Sequence, residues 1–403
     1  GLGVGRIIGP AAAIGDVDRD GVSDLVWFQT YRPGVPTLVQ IAIVSGRHGE
    51  YIRIYTPPDY TLRPRAFGPA GDMNGDGTPD YAWSFGNGRV GSNVQVRSGA
   101  DHSQIWTHQH RSSTVLGDSL AGGVDLDGDG SPEVIATGPG RNEGSVHIFD
   151  AKGELVRSTF GGLGTYAIGS RYGTESLDVI GDVDGDGLPD LVTGGSDYFA
   201  NAGAGLVLSG RTSKVVVSSG PETTPDGIGD CVAGVGDVDQ DGVPDFATGA
   251  WIKRPYLRGT VELCSGRTGQ ARFRWTNSQF AGPFGGYALR GRVDVDRDGV
   301  LDLVQSNTRW IRGLSGRDGS LIVTLEGKAA FASSIEVLHL PEHPFPVVVS
   351  MDQDGEYNRR TGGRGEAAAY RMSPPSVRVR GKPCGNPGAG QPKIGCRAVV
   401  GTT

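Results

Sequence analysis

Residues 179–195 read VIGDVDGDGLPDLVTGG, which places Asp182, Asp184, Asp186 and Asp190 within nine consecutive positions. Side-chain oxygens at positions 1, 3, 5 and 9 of such a loop can wrap around one hard cation, with glycine at position 6 for the sharp turn and a backbone carbonyl at position 7. Here that carbonyl belongs to Leu188. Calcium takes six to eight oxygens at roughly 2.3–2.6 Å and suits the pattern. Magnesium tolerates so complete a protein cage less well, and softer metals want His or Cys, which the loop lacks.

The phrase recurs with its first acid at Asp16, Asp72, Asp125, Asp182, Asp237 and Asp294, at spacings of 56, 53, 57, 55 and 57 residues. The ligand sets implied are Asp16, Asp18, Asp20, Val22 and Asp24, then Asp72, Asn74, Asp76, Thr78 and Asp80, then Asp125, Asp127, Asp129, Ser131 and Glu133. After the Asp182 loop come Asp237, Asp239, Asp241, Val243 and Asp245, and finally Asp294, Asp296, Asp298, Val300 and Asp302. An EF-hand would need a bidentate Glu at position 12 and flanking helices. Position 12 is instead Trp27, Trp83, Ala136, Thr193, Thr248 and Gln305, and strand-like runs follow. A single DxDG is often only a solvated turn, because Asp and Gly dominate turns. Six copies in one register point to about six calcium ions. Each cage is complete within its loop and leaves no open position for substrate, so the ions are expected to be structural.

Regular repetition must come from repeated elements. Each loop leads into a short apolar run: DLVWFQT, DYAWSFG, EVIATG, DLVTGG, DFATGA or DLVQSN. Further on in each unit comes a tight turn between two apolar runs: VSGRHGE, RSGADHSQ, FDAKGE, LSGRTSK, CSGRTGQ or LSGRDGS. One unit therefore reads as strand, acidic loop, strand, variable loop, strand, SGR-type turn, strand. Four strands repeated radially predict an all-β, seven-bladed β-propeller with antiparallel four-stranded blades. Blade seven lacks an acidic loop: FASSIEVLHL leads in, PEHPFP takes the loop position, and VVVSMD, EAAAYRM and PSVRVRG supply the other strands. A rival register would start a seventh loop at Ser350, using Asp352, Asp354 and Asn358. The propeller is expected to span 1–380, leaving 381–403 as a Gly/Pro-rich tail.

The formal charge of −7 conceals two populations, since 23 of the 45 acidic residues lie in the six loops and leave the remainder formally +16. Arginine outnumbers lysine 32 to 6, which favours planar carboxylate, sulfate or aromatic contacts. With 68 glycines in 403 residues, short strands and turns are favoured over long helices. No apolar run is long enough to cross a membrane. The chain opens at Gly1 without initiator Met or signal peptide, as in a processed or trimmed protein. Cys384 and Cys396 bracket CGNPGAGQPKIGC and are expected to pair, whereas Cys231 and Cys264 lie in apolar strand-like stretches and are expected to be buried thiols.

The phrases GDVDGDGLPDLVTGG and GDVDQDGVPDFATGA resemble the FG-GAP repeat of integrin-α-type propellers. The resemblance covers about residues 6–380 and implies a seven-bladed propeller, calcium in the loops and an extracellular or cell-surface location. Nothing resembles the downstream or inserted domains of integrins, so animal cell adhesion is not implied. A bacterial secreted or surface member fits better, and the Arg, Ala, Gly and Pro bias is compatible with a GC-rich genome.

In an up-and-down blade the acidic loops and SGR turns share one face, so ligands are expected on the other. Its variable loops are rich in aromatic and Arg residues, which favour binding hot spots. The candidates are Trp251, Lys253, Arg254, Tyr256 and Arg258 in GAWIKRPYLRG, together with Trp310. The leading expectation is a calcium-stiffened, non-enzymatic binding, adhesion or scaffold module for a protein or polysaccharide, without affinity for nucleic acid. The alternatives are a lyase-type enzyme acting on acidic polysaccharide and a self-associating subunit of a surface assembly. No Ser/His/Asp or HExxH arrangement appears. His108 and His110 in THQHR are expected to be exposed loop residues.

Overall fold

The structure, a computed structural model, describes residues 6–31, 38–57, 64–87, 91–110, 115–138, 144–160, 167–168, 176–197, 202–219, 228–253, 258–276, 288–307, 310–326, 334–351, 367–372 and 395–396. They form seven separate sheets, each built from strands consecutive in sequence. Blade one consists of Arg6–Gly15, Asp24–Tyr31, Leu38–Val44 and Tyr51–Tyr55, each antiparallel to the one before. The innermost strands of neighbouring blades pack side by side around a closed ring. The chain is thus a seven-bladed β-propeller.

Sequence composition follows position along each blade. Inner strands are covered on both faces and carry near-continuous apolar or small residues, as in fully buried Glu133–Gly138. The outermost strand of the same blade, Leu155–Phe160, has one face and one edge in solvent, and its residues are mostly exposed. Seven hydrophobic clusters fill the seven spaces between blades. Between blades one and two, Phe28 stacks on Phe67 with ring centroids 3.9 Å apart and tilts against Trp83 at 5.8 Å. The ring closes where Val22, Leu25 and Trp27 of blade one meet Leu338, Val347 and Val349 of blade seven. Arg47 adds an ion pair to Glu342 at 3.2 Å across the same seam.

Blade seven follows the first of the two registers. Ser334–Leu338 pairs antiparallel with Val347–Met351, which places Ser350 inside a strand opposite Ile335 and excludes it as the start of an acidic loop. Asp352, Asp354 and Asn358 lie outside the described residues, as do PSVRVRG and Cys384. The fourth strand comes from the tail, where Gly395–Cys396 pairs in parallel with Ala368 and Ala369. An unpaired edge offers a row of backbone donors and acceptors, which explains why a returning segment can add there.

Two other expectations concern single residues. Cys231 and Cys264 are buried, in strands Cys231–Gly236 and Arg258–Cys264. His108 and His110, however, are not loop residues. They alternate with Trp106 on strand Gln104–His110, half-buried, and face blade three, where His108 lies 4.7 Å from Phe149 and His110 lies 5.9 Å from His147. Desolvation in that seam depresses the pKa of both.

Candidate metal centres

All six acidic loops connect the first and second strands of blades one to six, and their backbones are alike. The position-1 carboxylate organises each one. In blade five, Asp237 Oδ1 accepts the amide of Asp241 at 3.0 Å and Oδ2 accepts that of Gly242 at 2.9 Å. The position-6 glycines need positive φ to deliver that second amide, from 78° at Gly77 to 88° at Gly130 and Gly187. The position-5 carboxylate accepts the position-7 amide in every loop, for example Val22 to Asp20 at 3.0 Å and Ser131 to Asp129 at 2.7 Å. The carboxylates are therefore gathered by the loop's own N–H groups.

Position 9 is different. Asp24, Asp80, Asp190, Asp245 and Asp302 are at most 1% exposed, at the start of the second strand. One oxygen of each accepts an amide of its own loop: Val17, Met73, Val183, Val238 or Val295, at 2.7–2.9 Å. The other accepts the amide of the SGR-turn glycine in the same blade: Gly46, Gly99, Gly210, Gly266 or Gly316, at 2.8–3.0 Å. Only glycine fits there, because a Cβ would lie 1.9–2.1 Å from the carbonyl oxygen of residue 23, 79, 189, 244 or 301. The recurrent SG dipeptide thus docks the third-to-fourth-strand turn onto the acidic loop. Burial opposes ionisation and lifts Asp24, Asp80 and Asp245 to about 6, and Glu133 and Asp302 to about 7, against the backbone amides that lower them.

The arginine of SGR has a defined partner as well. Arg211, Arg267 and Arg317 direct Nε to the position-5 carboxylates of Asp186, Asp241 and Asp298 at 2.9, 2.7 and 2.5 Å. Arg267 and Arg317 also donate Nη2 to the main-chain oxygen of the same aspartate at 2.7 Å. In blade one, Arg47 donates Nη1 to the Asp20 oxygen at 2.8 Å. Sequence reasoning took SGR as a hairpin turn and missed this role, although its constant place in blades one, four, five and six carried the signal. A neighbouring-blade contact was also missed. A Cβ on Gly15 or Gly181, each directly ahead of its loop, would fall 2.8 Å from the ring of Pro79 or Pro244, at position 8 of the next blade's loop.

The donor set fits a hard divalent cation. One ligand atom from each of Asp125, Asp127, Asp129 and Glu133 lies within 4.8 Å of the others. Three carboxylates do so in blade one (Asp16, Asp18, Asp24), blade four (Asp182, Asp184, Asp190), blade five (Asp237, Asp239, Asp241) and blade six (Asp294, Asp296, Asp302). Blade two, with Asn74 at position 3, has no such trio among the described residues. In that loop Asn74 Nδ2 donates to Asp76 at 3.0 Å.

The opposite face is mostly outside the described residues, Arg254 and Tyr256 included. Trp251 and Lys253 belong by backbone to strand Asp245–Lys253, and Arg258 opens the next strand opposite Lys253. Trp310, half-buried, begins the third strand of blade six, where Asn307 Oδ1 accepts its amide at 2.7 Å. The Arg312 guanidinium lies 5.5 Å from the centre of its ring.

Fold and loops together define a propeller whose blades carry acidic, carboxylate-rich hairpin loops. The FG-GAP-like repeat matches residues 125–193. Integrin alpha-V of Gallus gallus is 32% identical over 207 residues, 47% of this chain and 20% of the integrin. Integrin alpha-IIb of Homo sapiens is 33% identical over 140 residues, 30% of this chain and 14% of the integrin. The chain thus spans a fifth or less of these relatives. Among solved structures, BBS1N in complex with ARL6DN superposes with TM-score 0.54 at 12% identity, covering 88% of this chain and 94% of that one. The Dos1 propeller gives 0.51 at 11%, covering 92% and 83%. These two show the fold alone. Residues 125–193 match the FG-GAP-like repeat, the other loops share its pattern, and the chain is a seven-bladed β-propeller of FG-GAP type, similar over part of its length to integrin α chains.

Proposed function

We propose that this propeller is a non-enzymatic, extracellular binding or adhesion module, stiffened by about six structural calcium ions and presenting its partner surface on the face opposite the acidic loops. The observation that carries the reading is the tie between acidic loop and SGR turn. In five blades, a buried carboxylate holds the two together through hydrogen bonds from both. That face is taken up by internal bonding and cation ligands. The variable connections around Trp251, Lys253, Arg254, Tyr256, Arg258 and Trp310 are left to meet a protein or polysaccharide. The arginine excess suits an acidic partner.

Binding to a glycan array with and without calcium, run beside a lyase assay on uronic-acid polymers, tests this reading. Calcium-dependent binding without turnover is the expected result. Turnover of a uronic-acid polymer would instead identify an enzyme and overturn the proposal.

A further inference from the structure

Blade three departs from the other five loop-bearing blades in two linked ways and shares a third feature with blade two alone. Its turn, FDAKGE, places Ala151 where the others have the SG glycine. Since a Cβ at the equivalent glycines would meet a carbonyl oxygen at 1.9–2.1 Å, this turn cannot come as close to its acidic loop. It is also one residue shorter: Asp150 N bonds Glu154 O, whereas Ser265 N in blade five reaches Gln270 O. Second, position 9 is Glu133 rather than Asp. Its Oε2 accepts the Leu126 amide at 2.6 Å. Its Oε1 is buried on a residue only 1% exposed and has no hydrogen-bond partner among the described residues. In the other five blades the turn glycine occupies that second oxygen. Third, as in blade two, its turn carries no arginine, and Lys152 makes no ion pair with the loop among the described residues.

The consequence is electrostatic. Four carboxylates converge within 4.8 Å without the guanidinium that Asp186, Asp241 and Asp298 each receive. One oxygen has been stripped of water and given no donor. Such an atom costs free energy until something positive reaches it. Affinity for a hard cation rises with the number of charged ligands and with the rigidity of the site. We propose that the blade-three loop is a distinct, high-affinity divalent-cation site, the first of the six to fill and the last to empty. The others form a weaker class in which the turn amides, and in three blades arginines, already meet part of the ligands' demand. This inference rests on the reading of the loops as cation sites.

Calcium competition against a fluorescent chelator, on protein stripped of metal, separates the two. The expected isotherm has one site at least about tenfold tighter than the rest. Glu133→Gln removes that tight site, and Asp127→Asn, a change at a half-exposed residue that leaves Glu133 in place, removes it as well. Asp241→Asn, in blade five, leaves it intact. A single class of equivalent sites, or a tight site that survives both blade-three substitutions, overturns the inference while leaving the loops as cation sites. Absence of any calcium binding strikes the underlying reading itself.

Discussion

Gly266→Ala isolates the contact between SGR turn and acidic loop. A methyl group on residue 266 would sit 1.9 Å from the Pro244 oxygen and 2.9 Å from its carbonyl carbon. Both obstacles are backbone, so the turn must withdraw by about 1 Å or more before the overlap becomes an ordinary contact. Withdrawal breaks the 2.8 Å bond from the residue-266 amide to Asp245, a carboxyl only 1% exposed. Overpacking costs about 1–3 kcal/mol. Leaving a buried carboxylate oxygen without its donor costs about 1–3 kcal/mol more, so the expected loss is about 2–6 kcal/mol. For a chain of 403 residues, an unfolding entropy of about 2.1 cal/mol/K per residue makes each kcal/mol worth about 1.2 °C, so Tm should fall by about 2–7 °C. Differential scanning calorimetry in millimolar calcium reads this directly. The same method applied to Ala151→Gly in blade three, where no such contact exists, should show a change of about 1 °C or less. A Gly266→Ala protein melting within about 1 °C of the parent would refute the docking argument.

Arg267→Ala should be much milder, because its pair with Asp241 is solvent-exposed and screened; a fall in Tm as large as that of Gly266→Ala would show that the guanidinium, not the glycine, holds the turn. Arg290→Ala should cost about 3 kcal/mol, since Arg290 bonds both oxygens of Glu336 at 2.8 and 3.1 Å and Glu336 is only 7% exposed, joining blades six and seven; chemical denaturation checks it. The pH dependence has a definite sign. In metal-free protein burial lifts five of the position-9 carboxyls, Asp24, Asp80, Glu133, Asp245 and Asp302, to about 6 to 7, above the ordinary 3.8 of Asp and 4.5 of Glu, and raises Asp190 as well. Folding is therefore favoured by these groups while they are protonated, and that contribution is lost as pH rises through about 6 to 7. Protein in EDTA should melt higher at about pH 5.5 than at about pH 8, and saturating calcium, which binds the carboxylate form, should shrink or invert the difference. A metal-free protein more stable at the higher pH would contradict the burial argument.

Blade number and loop placement could be read because they rest on periodic local signals: the spacing of first aspartates and the apolar run after each. Ser350 shows the limit of that method. A rival register kept the same period, and only the pairing of Ile335 with Ser350 decides between the two. The strand character of Gln104–His110 was visible in the alternate placing of Trp106, His108 and His110, but the polar composition masked it. The face of that strand is defined by Phe149 and His147 of the next blade, contacts that no local window contains. The same holds for SGR. The motif was conspicuous, yet its meaning depends on a loop some 20 residues earlier in the chain, brought beside it by the blade's hairpins. The parallel pairing of Gly395–Cys396 with Ala368 and Ala369 has no sequence signal, since any short segment can add to an open edge.

The central claim is that the six acidic loops are calcium cages. Equilibrium dialysis against millimolar calcium, with metal content measured by atomic emission, tests it most directly. About six calcium ions per chain are expected, falling when Asp237 and Asp245 are changed together to Asn. Retention of less than one ion per folded chain would contradict the account.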